Sequence, residues 1–142
     1  MRLLEHVARS VREKLEPAFG PETSNSGVEG LTPSAGHCAA AAWILKEMLG
    51  GEFASATVKG ESHWFARIGE GTDSYDVDIT GDQFGYPAVQ VKPAGELYEG
   101  TRTRKTEDCS AETIERAKRL AEKAGLGLGA NQSKAPRKSP KI

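Results

Sequence analysis

Three residue types in this chain have the chemistry of a nucleophile and its acid–base partner: Cys38, His63 and an aspartate near position 78. Cys38 stands in Gly36-His37-Cys38-Ala39-Ala40-Ala41-Ala42-Trp43, after the turn and helix-start residues Thr32, Pro33, Ser34 and Gly36. A helix-forming run follows, Ala39 to Leu49, closed by Gly50-Gly51. A thiol at a helix start meets unpaired backbone N–H groups and the positive end of the macrodipole. Both favour the thiolate, which is the nucleophilic form. The plainer expectation is a buried cysteine that acts as a small hydrophobe.

His63 and the aspartates belong to two strand-like runs, Ser62 to Ile68 and Asp73 to Thr80, separated by the turn composition Gly69-Glu70-Gly71-Thr72. If that turn closes an antiparallel hairpin with Ile68 opposite Asp73, His63 falls directly opposite Asp78. Trp64 then faces Val77 and Ala66 faces Tyr75, so the other face is apolar, as a half-buried sheet requires. A one-residue slip would destroy the coincidence. Arg67 and Asp76 sit diagonally on the polar face and can pair, and Phe65 shares that face, placed to pack under the Cys38 helix.

These residues suggest a Cys–His–Asp triad. Cys38 is the nucleophile, His63 accepts its proton and later protonates the leaving group, and Asp78 orients the imidazole. Asp76, on the same face as Asp78, is the alternative orienter. The backbone N–H of Cys38 is the natural oxyanion donor, with His37, Gln83 and Asn25 as candidates for a second and Trp64 as a substrate-binding candidate. The ordinary counterparts are a hydrogen-bonded strand histidine and an aspartate that ends a strand. A metal site would draw on Cys38, His63 and one of His37 or Asp78, but it lacks the paired close spacing of structural zinc ligands, so no metal or other cofactor is expected. A Cys38–Cys109 disulfide is a further alternative, yet the N-terminus lacks the apolar segment of an export signal, which argues against it, and Cys109 reads as a bystander beside the last helix.

Around these residues the pattern predicts an α+β domain over 1–126. Leu3, Leu4, Val7, Val11 and Leu15 form a helical stripe ending before Pro17. Residues 17 to 36, rich in Gly and Pro, read as a long irregular loop forming one wall of a cleft. The Cys38 helix covers about 37 to 49, and strands follow at Phe53 to Val58, Ser62 to Ile68, Asp73 to Thr80 and Ala88 to Lys92. Residues 93 to 108 read as irregular. Ser110 caps a helix from Ala111 to Ala124, stopped by Gly125. Residues 127–142 lose hydrophobic periodicity and read as a disordered basic tail.

Thr32-Pro33-Ser34-Ala35-Gly36-His37-Cys38, Gly50-Gly51-Glu52, Ser62-His63-Trp64-Phe65 and Asp76-Val77-Asp78-Ile79-Thr80-Gly81-Asp82-Gln83-Phe84 together resemble the YunG-like family of small uncharacterised bacterial proteins over roughly residues 30 to 104. More distantly, the order of Cys on a helix, His on a strand and Asp on the next strand is similar to the papain-like and transglutaminase-like superfamily. His63-Trp64 and Asp78-Ile79-Thr80 are similar to its His-x-Trp and Asp-x-Thr segments, except that here Trp directly follows His. That second likeness implies a Cys-bearing helix on a small antiparallel sheet and thiol-based acyl chemistry on an amide: peptidase, deamidase, amidase or acyl transfer.

A net charge of −1 over 142 residues gives no reason to expect nucleic acid or an anionic membrane as partner, and no apolar run approaches a membrane span. A cytoplasmic location is the default expectation, with a peptide-like or protein side-chain amide as substrate. The competing expectations are a non-enzymatic binding module with a decayed papain-like site and, more remotely, a metal-binding protein.

Overall fold

The protein, a computed structural model, is described for residues 2–20 and 37–126. The candidate oxyanion donor Asn25, most of the expected cleft-wall loop, and the expected basic tail at 127–142 lie outside the described residues.

Helix α1 (Arg2–Leu15) forms on its apolar stripe, burying Ala8, Val11 and Leu15. Pro17 cannot continue an α-helix without losing a hydrogen bond, and the chain tightens there into a 3-10 turn, Glu16–Ala18. Helix α2 (Cys38–Leu49) buries Ala40, Ala41, Ala42, Trp43, Ile44 and Leu45 consecutively. A helix hidden around most of its circumference must be surrounded. α2 lies between the sheet and helix α3 (Ala111–Lys123), and Ser110 caps α3 by accepting from Thr113 N at 3.1 Å.

Among the described residues the sheet has five antiparallel strands: β1 (Glu52–Val58), β2 (Glu61–Ile68), β3 (Tyr75–Asp78), β4 (Gln90–Pro93) and β5 (Arg102–Arg104), in the order β4-β3-β2-β1-β5. Lys59 and Gly60, both at positive φ, make the tight turn between β1 and β2, as a two-residue hairpin loop requires. Gly51 allows β1 to enter beside β2, because a Cβ there would lie 2.3 Å from the Arg67 carbonyl oxygen.

One face of the sheet carries Phe53, Ala66, Ile68 and Val77 against Val11, Leu15, Ile44, Leu45 and Leu120. The opposite face carries Ala54, Ala56, Val58 and Phe65, covered by Phe84, Leu97 and Tyr98. Phe65 therefore does not pack under the Cys38 helix as expected. Its strand parity turns it to the other side.

Two further expectations are corrected. The β2–β3 ladder pairs Ile68 with Tyr75, Arg67 with Asp76 and Ala66 with Val77, so β3 is displaced by two positions from the register that put Ile68 opposite Asp73. The intervening loop takes up the extra residues in a 3-10 turn, Gly71–Asp73, closed by Asp73 N donating to Glu70 O (3.0 Å) and Ser74 Oγ to Gly71 O (2.8 Å). An even displacement keeps every side chain on its face. The second correction is β5, inside a stretch read as irregular. It pairs with the outer edge of β1, and its arginines suit a short, solvated edge strand.

Candidate functional site

His63 is fully buried on β2, and its Nε2 lies 2.7 Å from Asp78 Oδ2. The two do not stand opposite each other. Extending the observed register places Asp78 across from Phe65, so His63 meets Asp78 along the diagonal of one face. On its other side Asp78 pairs directly with Gln90 of β4.

The Asp78 carboxylate is fully engaged. Oδ1 accepts from Thr80 N (2.9 Å) and Thr80 Oγ1 (3.1 Å), a local turn that aspartate makes with the residue two places on. Oδ2 accepts from His63 and from the Tyr98 hydroxyl (2.5 Å), and Gln90 Nε2 donates to that hydroxyl at 2.8 Å. Gly81 leaves room for this arrangement, since a Cβ there would fall 2.5 Å from Pro87 O and 2.8 Å from Gln90 Nε2.

Aromatic rings enclose the imidazole: Phe84 edge-on at 4.9 Å, Tyr98 edge-on at 5.5 Å and Phe65 at 6.0 Å between centroids. Burial by itself would lower the His63 pKa. The hydrogen bond and negative charge of Asp78, with a further contribution from Cys38, outweigh it and raise the pKa from 6.5 to about 9. Nδ1, the ring nitrogen not used by Asp78, is buried and outside standard hydrogen-bond geometry with any described partner.

Cys38 is a free, half-buried thiol at the first position of α2, with His37 in the N-cap place. It lines a cleft of about 280 Å³ with Ser62, Trp64, Cys109, Ser110 and Arg116. Cys109 is also a free thiol, and burial pushes its pKa up. Trp64 reaches this cleft, half-buried, with Phe53 edge-on at 5.2 Å and the Arg104 guanidinium 5.8 Å above its ring.

The remaining candidates stand apart from this arrangement. Asp76, fully buried, forms a two-pronged ion pair with Arg67 (2.7 and 3.0 Å) and accepts from Gly95 N at 2.9 Å, so it orients no histidine. The Arg67–Asp76 pair was expected across a diagonal, but the two are direct cross-strand partners. His37 is buried against the Phe19 ring, with centroids 4.5 Å apart. Gln83 lies in the 3-10 turn Gly81–Phe84, which also presents Phe84 to His63.

The sequence reading missed Tyr98, Gln90 and Arg12. Tyr98 and Gln90 had no local signal, because their role depends on which strands become neighbours. Arg12 had one: it lies at helical spacing between Ala8 and Leu15 on the buried stripe of α1. Only 5% exposed, it donates to Ile79 O (2.8 Å) and to both carboxylate oxygens of Asp82 (2.7 and 3.0 Å), fastening α1 to the segment just after Asp78.

Among the described residues, no group of three or more His, Cys, Asp or Glu is arranged to hold a metal ion, and no helix is long and apolar enough to cross a membrane. A family model described as YunG protein matches residues 7–124. No curated protein and no solved structure matches the chain.

Proposed function

The chain belongs to the YunG family, and on that footing we propose that it is a thiol-dependent hydrolase or acyltransferase acting on an amide bond. The observation that supports this reading is the state of the His63 ring: Nε2 is held by Asp78, Nδ1 has no hydrogen-bond partner among the described residues, and Asp78 and Cys38 both favour the protonated form. Cys38 Sγ attacks the amide carbonyl carbon, and the oxyanion that forms is met by backbone N–H groups at the start of α2. The C–N bond then breaks, and the imidazolium gives its proton to the departing amine. Water or a second amine, deprotonated by His63, attacks the thioester and returns the free thiol. Asp78 holds the ring and favours its protonated form between these steps. The arrangement of helix-borne Cys, strand-borne His and next-strand Asp makes a papain-like or transglutaminase-like core part of the same proposal, with a peptide-like or protein side-chain amide as substrate.

A second reading, a binding module with an inactive site, draws support from a further cleft of about 340 Å³ on the opposite face, lined by Lys59, Tyr86, Gln90, Tyr98 and Glu99 and not by Cys38. Site-resolved alkylation with iodoacetamide separates the two. In the enzyme reading, Cys38 reacts faster than Cys109 at about pH 6–7, and His63→Ala removes the difference. A Cys38 that reacts no faster than Cys109, or only on unfolding, overturns the enzyme reading in favour of the binding module.

A further inference from the structure

We propose that Tyr98 is a positioning residue for His63: its hydroxyl, held by Gln90, shares Asp78 Oδ2 with the imidazole and limits how strongly the carboxylate binds it. This rests on the reading of His63 as the acid–base partner of Cys38.

The direction of the relay follows from donor chemistry. An amide nitrogen only donates, so the Tyr98 oxygen accepts from Gln90 Nε2 and turns its own proton to Asp78. Burial and the charge of Asp78 raise the Tyr98 pKa above the ordinary phenol value, which keeps that proton in place. Gln90 is the direct cross-strand partner of Asp78, so the sheet presets the spacing of the relay. The Tyr98 ring is pinned by Phe65 (5.4 Å) and Tyr86 (5.8 Å) and meets His63 edge-on.

Two donors therefore compete for the charge on one carboxylate oxygen. Without the phenol, the imidazole is the one remaining partner of Oδ2 among the described residues, and that bond strengthens. An imidazolium held too tightly is a poor proton donor, and too little neutral base remains near neutral pH. Among the described residues, the titratable groups acting on His63 are Asp78 from β3, Cys38 from α2 and Tyr98 from the segment after β4, and the uncharged rings of Phe65 and Phe84 lie beside it.

The test is an NMR titration of the His63 ring in the full chain, in three forms: unmodified, Tyr98→Phe, and with 3-fluorotyrosine, a more acidic phenol and stronger donor, placed at position 98. Removing the hydroxyl raises the His63 midpoint by about half a pH unit or more, and the fluorinated ring lowers it. The pH profile of Cys38 alkylation by iodoacetamide moves with both. Opposite signs cannot come from loosened packing. A midpoint that does not move, or moves the same way in both forms, overturns the proposal. If Tyr98→Phe does not fold, Gln90→Met takes its place, because it weakens the donor by removing its own partner and raises the midpoint. If His63→Ala leaves Cys38 alkylation unchanged, the acid–base reading falls, while the midpoints still decide whether Tyr98 tunes His63.

Discussion

His63 Nε2 and Asp78 Oδ2 lie 2.7 Å apart although neither residue stands opposite the other in the sheet. They meet diagonally because β3 is displaced by two positions and Asp78 leans toward His63 while its other oxygen is tied to Thr80. Both residues are almost completely buried, so the contact is not screened by solvent.

That contact ties stability to pH. The folded His63 pKa of about 9 lies above its unfolded value of 6.5, so the native state binds the extra proton. The resulting stabilisation, on the order of 3 kcal/mol, is fully present below about pH 6.5 and is lost as pH rises through about 9. Urea unfolding at about pH 6 and about pH 10 reads the loss directly. Asp78→Asn, which removes the stabilising charge, flattens this part of the profile.

Asp76 and Asp78 separate by their partners. Asp76→Asn breaks a buried ion pair with Arg67 and costs about 3 kcal/mol. If the proposed function holds, it leaves the expected alkylation advantage of Cys38 over Cys109 intact, whereas Asp78→Asn removes it. A urea midpoint and site-resolved mass spectrometry on each variant check both halves of this prediction.

Arg12→Met removes the Arg12–Asp82 ion pair and the Arg12 hydrogen bond to Ile79 O, and destabilises the fold by about 3 kcal/mol. The consequence reaches the site, because this anchor holds the turn that places Phe84 on His63. The His63 ring resonances shift in an NMR spectrum of the variant, although Arg12 does not touch the imidazole.

Gly81→Ala is expected to cost about 1–3 kcal/mol, since the new methyl group would overlap Pro87 O and crowd Gln90 Nε2. The overlap with Pro87 O forces a backbone shift, and the Gln90 side chain gives way as well, so the Tyr98 hydroxyl loses its partner. Thermal unfolding gives the cost, and the His63 midpoint is expected to rise, as is expected of Gln90→Met.

By itself the sequence determined the elements whose signals are local: the apolar stripe of α1, the alanine-rich α2 with Cys38 at its start, the Ser110 cap of α3, and the period-two alternation that puts His63, Asp76 and Asp78 on one face of the sheet. Alternation also protected the His63–Asp78 pairing from an error in register, because a displacement of two positions preserves the face. Only the tertiary structure decided the rest. Loop length set the register, which made Arg67 rather than His63 the partner of Asp76. The arrival of β4 beside β3 brought Gln90 and Tyr98 to Asp78, and the packing of α1 on the same segment buried Arg12. Contacts between residues so distant in the chain leave no periodic mark on either partner, because each is chosen by what the other strand or helix presents after folding.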